Sequence, residues 1–323
     1  MVILQARNIQ YKYHDGTYAL CGVSLDVKKG ELLAILGQNG SGKTTLLKHL
    51  NGLLKPLRGE IVLERKPLAH YSSKEIFQRV GIVFQDPNDQ LFAPSVKEDV
   101  AFGPMNLGLS KDEITQRVDE ALKLVGMTPH ANKAVDALSF GQKKRVCIAG
   151  VLAMKPEVLV LDEPTCGLDP AGVTSIMTLL KELNATHGIT IIMATNTVDL
   201  VPVYMDRLAI MYHGSILRIG APEEVFSNTD EIKHACLELP QIAQLMQILR
   251  DENNLTMDNL PLTVGEARKY LISRLNGNHS GSVIDLKYSC GQSGTKKIEI
   301  LSPSPSPSHQ REGKWLHGYK REK

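Results

Sequence analysis

The first 30 residues alternate apolar and polar positions, interrupted by turn residues at His14–Asp15–Gly16 and Lys29–Gly30. That alternation predicts antiparallel strands. Glu31–Leu36 (ELLAIL) is a mostly apolar run ending in Gly37, which predicts a buried strand feeding a glycine loop. From Thr44 to Leu54 the apolar positions recur at helical spacing. Glu60–Leu63 and Val80–Phe84 read as further strands. In Lys111–Val125 the residues Ile114, Val118, Ala121, Leu122 and Val125 share one helical face, with Ser110 as N-cap and Gly126 as stop. Gly141–Met154 and Val173–Leu183 also predict helices. Val158–Leu161 is continuously apolar, as expected of a strand covered on both faces of a parallel sheet. Thr190–Ala194 reads as a strand, and Leu208–Tyr212 with Ile216–Ile219 as a hairpin around His213–Gly214–Ser215.

Strands alternating with helices predict an α/β domain with a mainly parallel sheet, ending near Phe226. Residues 231–275 predict a small helical unit, with Ile242, Leu245, Met246 and Leu249 on one stripe and a second helix over Val264–Leu275. Leu91–Phe102 is an apolar–acidic stretch that fits either an exposed or a core position. From Asn276 the periodicity fades into a Ser/Pro-rich segment containing SPSPSPS, read as a disordered, polyproline-like extension.

Composition changes this picture little. The 323 residues leave room for one large domain plus a smaller one, and apolar residues at 42 % make metal or disulfide staples unnecessary. The formal charge of +2 hides an asymmetry: residues 276–323 carry eight Lys/Arg against four Asp/Glu, so the rest is slightly acidic. A nucleic-acid partner would call for a basic face on the folded part, and the charge distribution offers none. Five cysteines without a CxxC pair (Cys21, Cys147, Cys166, Cys236, Cys290) read as scattered reduced thiols. No run approaches the length of a membrane span, and the N-terminus lacks a signal-peptide layout. The chain is therefore expected to be cytoplasmic, with any membrane association peripheral.

The chemistry begins at Gly37–Thr44, GQNGSGKT, which matches GxxxxGK[ST]. Gly37, Asn39, Gly40, Ser41 and Gly42 shape a loop whose backbone amides can wrap phosphates. Lys43 reaches the β/γ-phosphates, Thr44 offers a hydroxyl to Mg²⁺, and Thr45 continues into a helix whose positive end faces the anion. A strand before and a helix after distinguish this loop from an incidental glycine-rich turn. Asp162 and Glu163 end the apolar run Val158–Leu161, at the edge where α/β sheets bind ligands. Asp162 can hold Mg²⁺, and Glu163 can orient or deprotonate water.

The third motif, Leu138–Ser139–Phe140–Gly141–Gln142, lies between these two and resembles the signature sequence of ABC ATPases. The resemblance covers residues 2–226. It implies a P-loop NTPase fold of ABC ATPase type: a mainly parallel core sheet, an antiparallel β subdomain, a helical signature subdomain at about 86–157, and a small C-terminal helical unit at 227–275. It also implies an ATP sandwich of two subunits. Ser139 and the amides of Gly141 and Gln142 would then face the partner's γ-phosphate, a helix N-terminus meeting an anion. Gln85 matches the family's glutamine loop, which touches Mg²⁺ and water. Gly167–Leu168–Asp169 matches its D-loop, and Tyr13, ahead of Tyr11, matches the aromatic that stacks on adenine.

Phe84–Leu109 and Leu138–Thr165 are similar to the ATPases of energy-coupling-factor transporters, as are Val198–Tyr204 and the segment after Phe226, and most of all to the cobalt-importer type. That implies an ATP-hydrolysing subunit using ATP with Mg²⁺ at the cytoplasmic face of the cell membrane. Its partners would be a second ATPase subunit, a transmembrane scaffold and a substrate-binding membrane subunit. Cobalt or nickel would be the cargo, with biotin, thiamine or riboflavin as the alternative; nothing in the chain reads as a cobalt site. A soluble ABC protein of DNA repair or translation would carry two cassettes or a coiled-coil insertion, and neither is visible.

One position departs from the pattern. The strand Thr190–Ala194 continues as Thr195–Asn196–Thr197, so Asn196 stands where the family has a γ-phosphate-contacting histidine. Asparagine donates a hydrogen bond but cannot become cationic or carry a proton. His187, at the other end of the strand, cannot replace it. Either the site is weakened, favouring a heterodimer with an intact second subunit, or Glu163 carries enough of the work for identical subunits to suffice.

Overall fold

The structure is a computed structural model that describes residues 1–253 and 255–277. The Ser/Pro-rich segment expected from Asn276, apart from its first two residues, lies outside the described residues, as does Cys290.

The opening alternation folds as predicted. β1 (Val2–Lys12) and β2 (Tyr18–Lys28) pair antiparallel. The turn between them places Gly16 at φ +93°. β3 (Leu32–Leu36) leads through the glycine loop into α1 (Lys43–Leu50). β4 (Arg58–Leu63) and β5 (Lys66–Pro67) complete a four-stranded antiparallel sheet in the order β2-β1-β4-β5.

Next come α2 (Ser73–Arg79), β6 (Val80–Val83), α3 (Val96–Asn106), α4 (Lys111–Leu124) and α5 (Phe140–Leu152). β7 (Val158–Asp162), α6 (Pro170–His187), β8 (Thr190–Thr195), α7 (Val201–Tyr204), β9 (Arg207–Tyr212) and β10 (Ser215–Gly220) follow. α8 (Pro222–Phe226), α9 (Thr229–His234), α10 (Gln241–Asp251) and α11 (Val264–Gly277) close the described chain. The second sheet is six-stranded, β10-β9-β3-β8-β7-β6. Every pair in it is parallel except the β9–β10 hairpin.

The central strands explain their own sequences. In β3, Leu33 and Ile35 point into the core shared with α1 and the antiparallel sheet, while Leu32, Ala34 and Leu36 point into the core shared with the helices. β7 divides in the same way, Val158 and Val160 against Leu159 and Leu161. A strand covered on both faces must be apolar at every position, so its periodicity vanishes.

Helix ends follow the expected chemistry at several places. Ser110 caps α4 by accepting from the Glu113 amide at 3.3 Å, and Gly126 beyond its end stands at φ +71°. Such a cap stabilises a helix by about 1 kcal/mol.

Three expectations need correction. The helix predicted over Thr44–Leu54 runs over Lys43–Leu50, because Gly52 turns the chain at φ +77°. α10 buries Ala243 and Met246, with Ile242 and Leu249 at the margins, and leaves Leu245 half exposed. The small Ala243 side chain lets that face approach the core, which rotates the expected stripe outward. The C-terminal helix continues past Asn276 to Gly277.

The two readings of Leu91–Phe102 both hold in part. Val96, Asp99 and Val100 are buried, whereas Phe92 and Phe102 are 64 % and 47 % exposed. α2 and α3 are not marked by hydrophobic periodicity, although both begin with a legible Ser-x-x-Glu cap, Ser72/Glu75 and Ser95/Glu98. In α3 the signal is masked by Gly103 and Pro104 inside the helix.

Beyond Phe226 the chain does not form a separate core. Ile232, Ala235, Leu239, Ala243 and Leu262 pack into the same apolar cluster as α5 and α6.

Candidate functional site

Four neighbouring parallel strands, β3, β8, β7 and β6, each end in a residue of interest. Their carboxyl edges deliver the glycine loop, Asn196, Asp162–Glu163 and Gln85 to one side of the sheet. This is the edge at which open α/β sheets receive ligands, because the loops and helix N-termini that follow the strands converge there.

The glycine loop is shaped by close approach. A Cβ on Gly42, at φ +103°, would lie 2.5 Å from the Ala19 carbonyl; one on Gly37 would lie 2.5 Å from the Met211 carbonyl. Neither position has room for a side chain. Lys43 is folded back into the loop, donating to the carbonyls of Gly37 (2.7 Å) and Gln38 (3.1 Å). Its ammonium lies 3.8 Å from Glu163 Oε1, with both side chains buried.

Burial lowers the Lys43 pKa from the usual lysine value, with Glu163 and Asp162 opposing the shift. Burial also raises the Glu163 pKa. The Lys43 charge and the Asn196 amide oppose that shift, and the Asp162 charge adds to it. A carboxylate raised in this way is better matched to accept a proton near neutral pH than an ordinary one. Glu163 also sits at φ +43°, a left-handed conformation costing on the order of 1–3 kcal/mol for a residue with a side chain. Hydrogen bonds hold it there: its amide donates to the Ala194 carbonyl (3.0 Å), and its carbonyl accepts from Cys166 (3.1 Å).

A cleft of about 410 Å³ gathers Tyr13, Thr17, Tyr18, Ala19, Asn39, Gly40, Gly42, Lys43, Thr44, Thr45, Gln85, Asp162 and Glu163. Thr44 Oγ1 donates to Asp162 Oδ2 at 2.6 Å. The other Asp162 oxygen, Oδ1, is buried with no hydrogen-bond partner, and so are Glu163 Oε1 and Ser41 Oγ. Unsatisfied buried acceptors are rare. Paired carboxylate and hydroxyl oxygens with an orphan beside them fit a hard, oxygen-preferring cation such as Mg²⁺. Thr44, Asp162 and Gln85 could hold such a cation, which would supply positive charge against phosphate oxygens.

Tyr13 lies at the rim, its hydroxyl 2.9 Å from Thr45 Oγ1. Tyr11 instead stacks edge-on against both Tyr13 (5.0 Å) and His49 (4.7 Å) and is half-buried in packing. The cleft thus favours Tyr13 over Tyr11 as the aromatic available to a base. Tyr18, which the sequence does not single out, lines the same cleft; a lone tyrosine at the start of a strand carries no distinguishing signal in the sequence.

Asn196 lies just outside this cleft. Its amide donates to Glu163 Oε2 at 3.3 Å. Its side chain lines a neighbouring cleft with Gln38, Asn39 and Glu238. Gln38 Nε2 donates to the Cys236 carbonyl at 2.8 Å, so the C-terminal unit touches the glycine loop directly. His187 lines a different cleft with Lys155 and Pro156, away from the site.

Gly37 and Ser41 of the loop and Asn196 stay behind or beside the cleft walls, and the residues placed well away from it are those of the signature. Ser139, Gly141 and Gln142 open α5, where Ser139 Oγ accepts from the Gln142 amide (3.3 Å) and the Gln142 side chain accepts from the Ser139 amide (3.0 Å). This capping box leaves the helix end exposed at the surface. None of these residues lines the Lys43–Asp162 cleft.

Fold and motifs together define an ABC-type ATPase, and the ABC transporter family model matches residues 20–166. The energy-coupling factor transporter ATP-binding protein EcfA of Methanocaldococcus jannaschii is 51 % identical over 277 residues, covering 85 % of this chain and 99 % of the relative. EcfA2 of Clostridium perfringens is 50 % identical over 277 residues, covering 85 % of this chain and 97 % of the relative. Among solved structures, CbiO1 of Clostridium perfringens, described as part of the ABC transporter complex CbiONQ, is 50 % identical with a TM-score of 0.66. It covers 76 % of this chain and 99 % of that one. The dimeric cassette MJ0796 in a post-hydrolysis state with ADP and Pi is 30 % identical with a TM-score of 0.61, covering 68 % and 99 %. The chain belongs to the ATP-binding proteins of energy-coupling factor transporters. It is an ABC ATPase, the ATP-hydrolysing subunit of a transporter. Among the described residues no helix is long and apolar enough to cross a membrane.

Proposed function

We propose that this chain hydrolyses ATP in a two-subunit sandwich at the cytoplasmic face of the membrane and powers import of cobalt or nickel. The observation that carries the sandwich is the separation of the phosphate cleft from the signature helix end. Lys43, Thr44, Gln85, Asp162 and Glu163 converge on one cleft, while Ser139 and the first amides of α5 stay exposed elsewhere. A second subunit supplies that helix end to the γ-phosphate, and the first subunit's signature serves the second site in turn.

Within each site the glycine-loop amides and Lys43 bind the phosphates, and Tyr13 stacks on the adenine. Thr44, Asp162 and Gln85 hold Mg²⁺, and Glu163 orients the attacking water and accepts its proton. Asn196 donates a hydrogen bond to the γ-phosphate. Residues 1–226 form the ATPase and 227–275 the C-terminal unit.

A second surface supports the membrane assignment. Leu53, Phe77, Phe84, Phe102, Leu107 and Met154 line an apolar groove of about 460 Å³ beside Gln85. Phe92 stacks edge-on against Phe102 at 4.6 Å beside it. Large exposed aromatics next to a groove mark a protein interface, and a transmembrane scaffold subunit is the partner assigned to it.

The cobalt or nickel reading is supported by the resemblance of Phe84–Leu109 and Leu138–Thr165 to cobalt-importer ATPases, with biotin, thiamine or riboflavin as the second reading. Cells co-expressing this chain with its membrane subunits should take up labelled Co²⁺ or Ni²⁺, and Glu163→Gln should abolish the uptake. Uptake of a vitamin and of neither ion would assign the cargo to the second reading.

A further inference from the structure

Lys144 lies just after the signature, in the first half of α5, and is 1 % exposed. A buried ammonium ordinarily needs a carboxylate, because desolvating a charge costs several kcal/mol. Here the partners are different. Lys144 Nζ donates to the carbonyl of Gln85 and to the carbonyl of Glu163 (3.4 Å), and lies over the Phe140 ring, 5.6 Å from its centre. Desolvation accordingly lowers its pKa from the usual lysine value.

The two carbonyls belong to different strand ends, one after β6 and one after β7. An apolar side chain of similar length would fill the volume but leave both acceptors without this donor. A cation draws them to one point. The Glu163 carbonyl is a sensitive place to pull, because that residue holds a left-handed φ of +43° and the orientation of its peptide sets where the carboxylate aims.

We propose that Lys144 is a positioning residue that ties the signature helix of each subunit to its own Gln85 and Glu163. The helix end that reaches toward the partner's nucleotide thereby also fixes the aim of the water-orienting carboxylate within its own chain. This inference rests on the roles assigned above to Glu163, Gln85 and the signature, and adds a hydrogen-bonded route within each chain by which one site of the sandwich is sensed at the other.

The test uses the full-length chain in its transporter complex, with steady-state ATP hydrolysis, binding of a non-hydrolysable ATP analogue and thermal unfolding measured in parallel. Lys144→Met should lower kcat about 10- to 100-fold, the scale of a small misplacement of a reacting group, while KM and analogue affinity stay within about 2-fold. Lys144→Arg or Lys144→Gln, which keep donors, should recover most of the rate. In a Glu163→Gln background, Lys144→Met should cause no further loss.

If Lys144→Met does not fold, Lys144→Leu, which also removes the donor, carries the same comparison, with Lys144→Arg and Lys144→Gln still the rescuing variants. Unchanged kcat overturns the proposal, as does a parallel fall in melting temperature and analogue affinity with no rescue by Arg or Gln. If Glu163→Gln itself hydrolyses ATP at the wild-type rate, the underlying assignment of Glu163 fails instead. Loss in Glu163→Gln with none in Lys144→Met refutes only the role of Lys144.

Discussion

Thr44 Oγ1 donates to Asp162 Oδ2 at 2.6 Å across 118 residues of sequence. One oxygen comes from the start of α1 and the other from the end of β7, and the second Asp162 oxygen is buried without a partner. The pair therefore has acceptor capacity that the protein alone does not use, and Asp162 carries its charge beside Glu163. Asp162→Asn should leave thermal stability unchanged or raised. Hydrolysis should fall at least about 100-fold and require far more Mg²⁺, because stabilisation of the transferring phosphoryl group depends on metal charge. A Mg²⁺ titration of hydrolysis checks this, and an unaltered Mg²⁺ requirement contradicts it.

Glu163 predicts the pH dependence. Burial raises its pKa above the ordinary 4.5 for glutamate. A general base acts in its deprotonated form, so the rate should fall as pH drops through the raised value. The acid limb of the kcat profile should consequently lie above the range of an exposed carboxylate, and Glu163→Gln should remove it together with a factor of about 10²–10⁴ in kcat. The stability term has the opposite sense: a folded-state pKa above the unfolded one favours the fold at low pH, and that contribution is lost as pH rises through the folded value. Rate and unfolding profiles measured on the same samples separate the two.

Asn196 reaches the site through its backbone amide, which donates to Glu163 Oε2, while its side chain lines the adjoining cleft. Asn196→His keeps the amide and adds a group that can carry a proton. Steady-state ATP turnover should rise several-fold. An unchanged or lower rate in the assembled complex would show that asparagine suffices and would remove the reason to expect a heterodimer.

Phe92 and Phe102 form an exposed edge-to-face pair beside the apolar groove. Replacing both with Ser should leave the melting temperature nearly unchanged, since both are largely solvent-facing, but should reduce recovery of the chain with its membrane subunits about tenfold or more. Pull-down from detergent-solubilised membranes reads the outcome; undiminished recovery would place the interface elsewhere.

The elements whose causes are local are legible in the sequence. The glycine loop had to turn as it does because Gly42 needs a left-handed φ. The apolar run Val158–Leu161 had to be covered on both faces because it offers no polar side to water. Ser110 and Gly126 bound α4 through their own capping chemistry. Less legible were elements whose local signals conflict: α3 carries Gly103 and Pro104 inside the helix, and α10 turns its smallest apolar residue, Ala243, inward, so a stripe drawn from size alone points the wrong way.

The sequence by itself determined the residue types that phosphate and water chemistry need, and the turns and strand ends that carry them, because backbone conformation follows from each residue's nearest neighbours. Only the tertiary structure decided which of them meet. The order β3-β8-β7-β6 brings Lys43, Asn196, Glu163 and Gln85 to one edge and leaves Ser139 outside it. Burial turns Glu163 toward the protonated form and places Lys144 between two carbonyls. Those outcomes depend on which strands pack side by side and on what is excluded from water, and neither is encoded at any single position of the chain.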